Sequence, residues 1–169
     1  MSGSSTFALS RDEVMAVLNT VPDPEVPVIS VVELGVVRDV DITPERVLVT
    51  MTPTYSGCPA MREMEADVKA VLLARGAPAV EVRTVLSPAW TTDWIGPEAR
   101  EKLRRYGIAP PGKAESQGLV TLTRARSAVA CPFCGSTDTV LQSEFGSTAC
   151  KAIHQCRSCG SPFDEFKPL

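Results

Sequence analysis

The feature that most constrains this chain is a pair of cysteine motifs in its C-terminal part. Both have the form Cys-x-x-Cys-Gly, and they begin at Cys131 and Cys156. A gap of two residues lets both thiolates of one motif face the same ion at metal–sulfur distances of about 2.3 Å. The glycine that follows tolerates the turned backbone that such a motif needs. The spacing therefore predicts one closed tetrahedral metal site, with the ligands Cys131, Cys134, Cys156 and Cys159.

The segment between the two motifs contains Thr139–Leu141 and Phe145, which can form a hairpin. Two motifs joined by a hairpin predict a zinc ribbon over residues 128–169. A closed four-cysteine site leaves no open position for a substrate, so zinc is expected to be structural. Rubredoxin-like iron uses the same ligands, and the sequence leaves iron and a redox dithiol pair open as alternatives.

Two further potential ligands in this segment stay unassigned, Cys150 and His154. Either could replace a motif cysteine, but the motifs fit the four-cysteine pattern without them. Cys150 is expected to be a small buried residue of the ribbon, because free cysteine is usually buried. His154 is expected at the surface or as a hydrogen-bond donor beside the ligands.

Upstream of the ribbon, hydrophobic periodicity predicts the element order α-β-β-α-β. Ser10–Glu13 has the pattern of a capping box, and apolar residues follow it at helical spacing. The β-branched segments 36–42 and 47–52 flank a turn and predict a hairpin. An amphipathic helix over 59–75 and a third strand over 80–86 follow.

This order predicts an α+β fold in which helices pack on a small mixed sheet, followed by the four-cysteine zinc ribbon. The predicted organisation is a flexible tail over residues 1–9 and an α+β domain over residues 10–106. A linker rich in proline, glycine and small or polar residues follows over residues 107–127, before the ribbon.

Cys58 lies between Gly57 and Pro59, directly before the second predicted helix. Proline is favoured at the first helical position, which places Cys58 at the N-cap. The positive end of the helix dipole and unpaired amides favour a thiolate there. From position alone, two alternatives are about equally supported. Cys58 is either a reactive or metal-binding thiol, or a buried N-cap residue that takes no part in chemistry.

Four other side chains are weaker candidates. Asp23 and Glu25 could be hard ligands or could orient a partner, although Asp-Pro is also common turn chemistry. Trp90 and Trp94 could form an exposed contact for a partner, or they could belong to the core.

Composition excludes several functional classes. The chain has 17 basic and 20 acidic residues, a balance that disfavours a nucleic-acid partner. No apolar run approaches the roughly 20 residues that span a bilayer, and the N-terminal segment lacks a signal-peptide pattern. We therefore expect no membrane association and a cytoplasmic location, where cysteines bind metals more often than they form disulfides. His154 is the one histidine, so an enzyme that uses Cys58 as nucleophile lacks an evident general base.

Several segments resemble a known family. Asp23–Pro27, Leu34–Val37 and Thr52–Ala60 resemble the small α+β domain of iron–sulfur assembly factors, which include SufT and the cytosolic iron–sulfur targeting proteins. With Pro88–Trp94 and Phe145–Lys151 added, residues 10–168 resemble the PaaD family. PaaD proteins are accessory subunits encoded with the phenylacetyl-CoA oxygenase (epoxidase) of aerobic phenylacetate degradation.

The resemblance implies a non-enzymatic role in metal-centre assembly. The partners would be the di-iron oxygenase subunit and its iron–sulfur reductase. Cys58, alone or with Cys58 of a second chain in a homodimer, would transiently hold iron or a cluster, with Asp23 nearby. The resemblance also implies that the ribbon cysteines hold zinc and that Cys150 belongs to the family pattern. A rubredoxin-like electron-transfer component of the same oxygenase is the alternative.

Overall fold

The computed structural model describes residues 9–112 and 128–169. The chain divides into two compact units, Met1–Trp90 and Thr91–Leu169, called here the first and second unit. Residues 1–8 of the predicted tail and 113–127 of the predicted linker lie outside the described residues.

The first unit has the predicted order of elements. Its helices and strands are α1 (Arg11–Leu18), β1 (Val37–Ile42), β2 (Val47–Met51), α2 (Ala60–Ala74) and β3 (Val80–Thr84). The α+β fold with packed helices on a small mixed sheet is confirmed. The boundaries of α2 and of the three strands agree with the sequence pattern to within two residues, the usual uncertainty of helix and strand ends, whereas α1 ends at Leu18, earlier than the prolines from Pro22 onward suggest.

The first helix begins at the predicted capping box. The Glu13 backbone N–H donates to the Ser10 hydroxyl at 3.3 Å, and the Ser10 backbone N–H donates to the Glu13 carboxylate at 2.7 Å. These bonds satisfy amides that the helix itself leaves without a partner. The helix then buries Val14, Val17 and Leu18 on one face.

The sheet of the first unit has the order β1-β2-β3. β2 pairs antiparallel with β1 and parallel with β3. The parallel pair requires a crossover, which α2 supplies. Because β2 is central, its side chains are buried on both faces, and only Thr50 is partly exposed. α2 covers the sheet with a buried face made of Ala60, Met61, Met64, Val68 and Leu72.

Trp90 belongs to the core of the first unit. Its side chain is 6% exposed, and its indole N–H donates to the Leu34 carbonyl at 3.0 Å. Of the two alternatives that the sequence leaves open for Trp90, this burial supports the core residue and argues against the exposed partner contact. A large apolar ring is more stable in the core when its N–H finds an acceptor there. Trp94, in the second unit, is half-buried.

In its described residues, the second unit begins with a short 3-10 helix at Thr92–Trp94 and contains one α-helix with a four-stranded sheet. The elements are α3 (Pro97–Arg105), β4 (Ile108–Ala109), β5 (Thr139–Ser143), β6 (Lys151–Cys156) and β7 (Pro162–Phe166). The sheet order is β4-β7-β6-β5, with β5, β6 and β7 antiparallel and β4 parallel to β7. Among the helices in the described part of the chain, none combines the length and apolar composition needed to cross a membrane.

The division between the units differs from the predicted boundary at residue 106. α3 and β4 belong to the second unit, although the sequence pattern assigns α3 to the first domain and β4 to the linker. Ile108 pairs with Asp164 and Ala109 with Glu165, so this segment extends the ribbon sheet. A two-residue strand has no periodicity that a sequence pattern could reveal.

The buried face of α2 gives a test of the first unit. We expect Leu72→Ala to lower the free energy of unfolding by about 2–5 kcal/mol, because it opens a cavity where the side chain is fully buried. Lys69→Ala, on the exposed side of the same helix, should change it by less than about 0.5 kcal/mol. Urea unfolding followed by circular dichroism measures both. Equal losses would contradict the described packing.

Candidate functional site

The four cysteines of the two motifs converge on one point of the second unit. Their Sγ atoms all lie within 4.8 Å of one another. The Sγ atoms of Cys131 and Cys159 are 3.8 Å apart, and those of Cys134 and Cys156 are 3.5 Å apart. Four sulfurs bound tetrahedrally at about 2.3 Å are separated by about 3.8 Å. The donor set therefore fits a tetrahedral zinc ion, and it also fits rubredoxin-like iron.

The two motifs have the same backbone geometry. In each, the glycine N–H donates to the carbonyl of the first cysteine at 2.9 Å, from Gly135 to Cys131 and from Gly160 to Cys156. Both glycines have positive φ angles, 76° and 77°. A side chain at either position would strain this turn, which explains why glycine follows both motifs.

Strand pairing brings the two motifs together. The first motif precedes β5, and the second ends β6 and turns into β7. Thr139 of β5 lies opposite Cys156 of β6, and its hydroxyl donates to the Val129 carbonyl at 2.7 Å. The buried cysteines pack in a small core with Ala109 and Phe163. The register of the β5–β6 hairpin therefore brings together four sulfurs from two motifs that are distant in sequence.

The cluster is buried on one side and open on the other. Cys131 and Cys156 are 2% and 0% exposed, whereas Cys134 and Cys159 are exposed. A bound ion would be held on its buried side by the first cysteine of each motif, Cys131 and Cys156. On its solvent side it would be held by the second, Cys134 and Cys159.

Without a cation, the pKa values of the two exposed thiols differ widely because their surroundings differ. The Ser161 hydroxyl and backbone N–H lower the pKa of Cys159 to about 6. For Cys134, the Ser136 backbone N–H also lowers the pKa, but the neighbouring Cys156 thiol and desolvation outweigh it and raise the pKa to about 12. Crowded sulfurs do not all ionise by themselves, so a cation is what makes four thiolates at this spacing stable.

His154 and Cys150 lie outside the four-sulfur cluster. His154 is 4% exposed, which corrects the expectation of a surface residue. Its Nε2 lies 2.7 Å from the Glu165 carboxylate, and its ring stacks on Phe163 at 5.5 Å between centroids. Cys150 is buried as expected, with its Sγ 3.0 Å from the Thr148 hydroxyl. The sequence analysis did not identify Glu165. The one sequence feature that could have indicated its burial is its position two residues after Phe163 on the same strand, which places both side chains on one face.

Cys58 is placed by the loop that joins β2 to α2. Its backbone N–H donates to the Tyr55 carbonyl at 3.2 Å, and its side chain is 8% exposed. The N-cap of α2 is Pro59 rather than Cys58, so the thiol lies one residue before the position that the sequence predicts. The sequence also missed Thr52 at the start of the loop. Its hydroxyl is buried and has no hydrogen-bond partner among the described residues.

Asp23 has a clear structural role. It is 5% exposed, and its carboxylate accepts the backbone N–H groups of Glu25 at 2.9 Å and Val26 at 2.6 Å. These bonds form the turn that Asp-Pro chemistry predicts. Within the described residues, the only group of three or more potential metal donors is the four-cysteine cluster. Asp23, Glu25 and Cys58 therefore do not form a ready-made metal site of their own.

Comparison with known proteins places the chain in a family. A protein of Escherichia coli, provisionally named as a subunit of 1,2-phenylacetyl-CoA epoxidase, is 46% identical over 155 residues. The match covers 92% of this chain and 91% of the relative. This chain belongs to the PaaD family. The family profile described as the PaaD zinc beta ribbon domain matches residues 115–167, and the one described as iron-sulfur cluster assembly protein matches residues 11–86.

More distant relatives of this PaaD-family chain match its first part. An Fe-S protein maturation auxiliary factor of Porphyromonas gingivalis is 33% identical, over 59% of this chain and 96% of the relative. A solved domain of unknown function from Bacillus anthracis is 33% identical with a TM-score of 0.51, over 54% of this chain and 89% of the other. A conserved hypothetical protein of Thermotoga maritima is 32% identical with a TM-score of 0.50, over 61% and 98%.

The four-sulfur geometry predicts how metal content depends on each cysteine. We expect the wild type to bind one zinc ion tightly and a serine at any one of the four cluster positions to lose it, since a thiolate ligand is removed. Cys150→Ser is the matched control, because it alters a buried cysteine outside the cluster and should keep the zinc. Elemental analysis of the purified chains measures the content. Zinc retained at full occupancy in Cys156→Ser would contradict the site.

The acidities of the exposed thiols predict a pH dependence of zinc binding. A pH of 7.5 is above the pKa of Cys159, about 6, so this thiol is already ionised. Cys134 has a pKa of about 12 and must lose a proton to bind zinc. Binding should therefore release protons at pH 7.5, and more at pH 5.5, where Cys159 also starts protonated. Affinity should accordingly rise with pH.

Calorimetric titrations in buffers of different ionisation enthalpy count the released protons. Cys150→Ser should release the same number as the wild type. Zinc binding without proton release at pH 7.5 would show that the described acidities are incorrect.

Proposed function

We propose that this chain is a non-enzymatic cytoplasmic factor that helps assemble metal centres of a phenylacetyl-CoA oxygenase system. One observation carries the proposal. Cys58 is a single thiol in the loop just before α2, inside the unit that matches iron–sulfur assembly proteins, and it belongs to no three-donor cluster among the described residues. The E. coli relative, named for an epoxidase and matched over nearly its whole length, supports the choice of oxygenase.

A lone thiol suits transfer better than storage. Iron–sulfur clusters are normally held by four protein ligands, so one cysteine binds a cluster or an iron ion only together with ligands from elsewhere. Client ligands can complete the coordination and then replace Cys58. The low exposure of the thiol, 8%, limits its reaction with other solutes before a client arrives.

The surroundings of Cys58 do not favour nucleophilic catalysis. A cysteine nucleophile normally has a histidine or another base within hydrogen-bond reach. The one histidine of the chain, His154, belongs to the second unit and is bound to Glu165 at 2.7 Å. We therefore assign Cys58 a ligand role.

The ribbon has a separate role in this proposal. Its four cysteines hold zinc, which stabilises the second unit and leaves the rest of that surface available to the clients. We propose the di-iron oxygenase subunit and its iron–sulfur reductase as those clients. Asp23 supports the site through the turn that it closes with Glu25 and Val26.

A second candidate is a rubredoxin-like electron-transfer component of the same oxygenase. The tetrahedral sulfur geometry, with exposed Cys134 and Cys159, also fits an iron ion that exchanges electrons at the surface. Protein purified from cells supplied with both metals distinguishes the two candidates. A red protein with visible thiolate-to-iron absorption favours electron transfer, and a colourless protein with one zinc excludes it.

The transfer role predicts a selective defect in Cys58→Ser. When the clients are produced together with this variant, their iron content should fall to the level seen without this chain, because the transferring ligand is lost. The variant itself should keep its zinc and lose no more than about 1–2 kcal/mol of stability. Elemental analysis of the purified oxygenase and reductase subunits measures the effect.

Ser56→Ala is the matched control, since Ser56 lies exposed in the same loop. It should support full metal loading of the clients. Fully metallated, active clients obtained with Cys58→Ser would overturn the proposed function.

A further inference from the structure

β3 is an edge strand of the first unit. Within the described residues it pairs only with β2, which leaves its outer side without a neighbouring strand. Glu81, Arg83 and Thr84 are exposed, and Val80 and Val82 are half-buried. An edge strand of this kind presents unpaired backbone groups that can bind another strand.

The hydrogen bonds to β2 identify which backbone groups point outward. The Val47 N–H donates to the Ala79 carbonyl, and the Val85 N–H donates to the Met51 carbonyl, both across the β2–β3 pair. Because backbone direction alternates along a strand, the odd-numbered residues between Ala79 and Val85 face β2. The outward donors and acceptors are therefore those of Val80, Val82 and Thr84.

We propose that this edge binds a second copy of the chain, with the two β3 strands antiparallel about Val82. In this register Val82 lies opposite Val82 of the second copy, and Val80 opposite Thr84. These are the residues whose backbone groups point outward. The Val82–Val82 pair and the two Val80–Thr84 pairs can therefore each exchange two backbone hydrogen bonds. Glu81 then lies opposite Arg83 of the second copy, and the two-fold axis repeats the pair.

Charge distinguishes this register from its neighbours. An axis through Glu81 would place two glutamates directly opposite each other, and an axis through Arg83 would do the same with two arginines. Like charges directly opposite each other destabilise a strand pair, whereas opposite charges stabilise it. Arg83 has no ion-pair partner among the described residues, and Glu81 contacts Arg46, which directly precedes β2.

Two exposed apolar side chains belong to the segments that precede and follow the strand. Leu73 and Leu86 are 50% and 65% exposed and are the large exposed hydrophobic residues of the described first unit. Leu73 is in the last turn of α2, and Leu86 follows β3 by two residues. In the proposed register Leu86 lies beside Pro78 of the second copy, so pairing covers apolar surface at both ends of the strand.

The proposed pairing separates the two Cys58 loops. Cys58 follows the C-terminal end of β2, which runs parallel to β3. Antiparallel β3 strands point the two β2 strands in opposite directions. The loops therefore lie at opposite ends of the combined six-stranded sheet, and the dimer does not join two Cys58 thiols around one cluster.

Charge reversal tests the interface on the full chain by sedimentation velocity over a range of concentrations. The wild type should dimerise. Arg83→Glu and Glu81→Arg, each alone, should weaken self-association by about tenfold or more, because each places like charges opposite in two symmetric pairs. A one-to-one mixture of the two variants should form a heterodimer, since opposite charges again face each other.

Arg62→Glu, the same charge change on the exposed side of α2, should dimerise like the wild type. Circular dichroism melts check that all variants fold, and the heterodimer provides a second check on folding. A wild type that stays monomeric, a dimer that Arg83→Glu does not weaken, or a mixture without heterodimer would each overturn the proposal.

Discussion

Four cysteine sulfurs within 4.8 Å of one another cannot all carry charge unless a cation neutralises them, and the second unit is organised around that constraint. The two motifs turn on glycines with positive φ angles, and the β5–β6 register carries the second motif to the first. The same core includes Ala109, which is why β4 joins the ribbon sheet rather than a linker. Metal binding and folding of this unit are therefore expected to be coupled.

The two cysteine environments of the chain are suited to different tasks. The ribbon offers four soft donors at tetrahedral spacing, which favours tight and lasting binding of one ion. Cys58 offers one thiol in a loop closed by the Tyr55 carbonyl, outside any three-donor cluster among the described residues. Under the proposed function, the ribbon would hold one metal ion firmly, and Cys58 would share another with ligands of a client.

Sequence patterns predicted the elements of the first unit because helix and strand periodicities are local. Ser10 and Glu13 marked the start of α1, and proline and glycine punctuation bounded α2 closely. The same patterns did not reveal that Trp90 packs against Leu34 or that His154 pairs with Glu165. Those contacts join residues distant in sequence, and burial depends on what the rest of the fold places above each side chain.

The sequence by itself predicted the four-cysteine cluster, the α-β-β-α-β order and the family. Each of these depends on spacing within a short segment, or on identity along the chain. Only the tertiary structure decided that Cys134 and Cys159 face solvent, that Cys58 precedes the N-cap, and that β3 is an open edge. Exposure, cap position and strand neighbours depend on how distant segments pack, and no local pattern of residues encodes that packing.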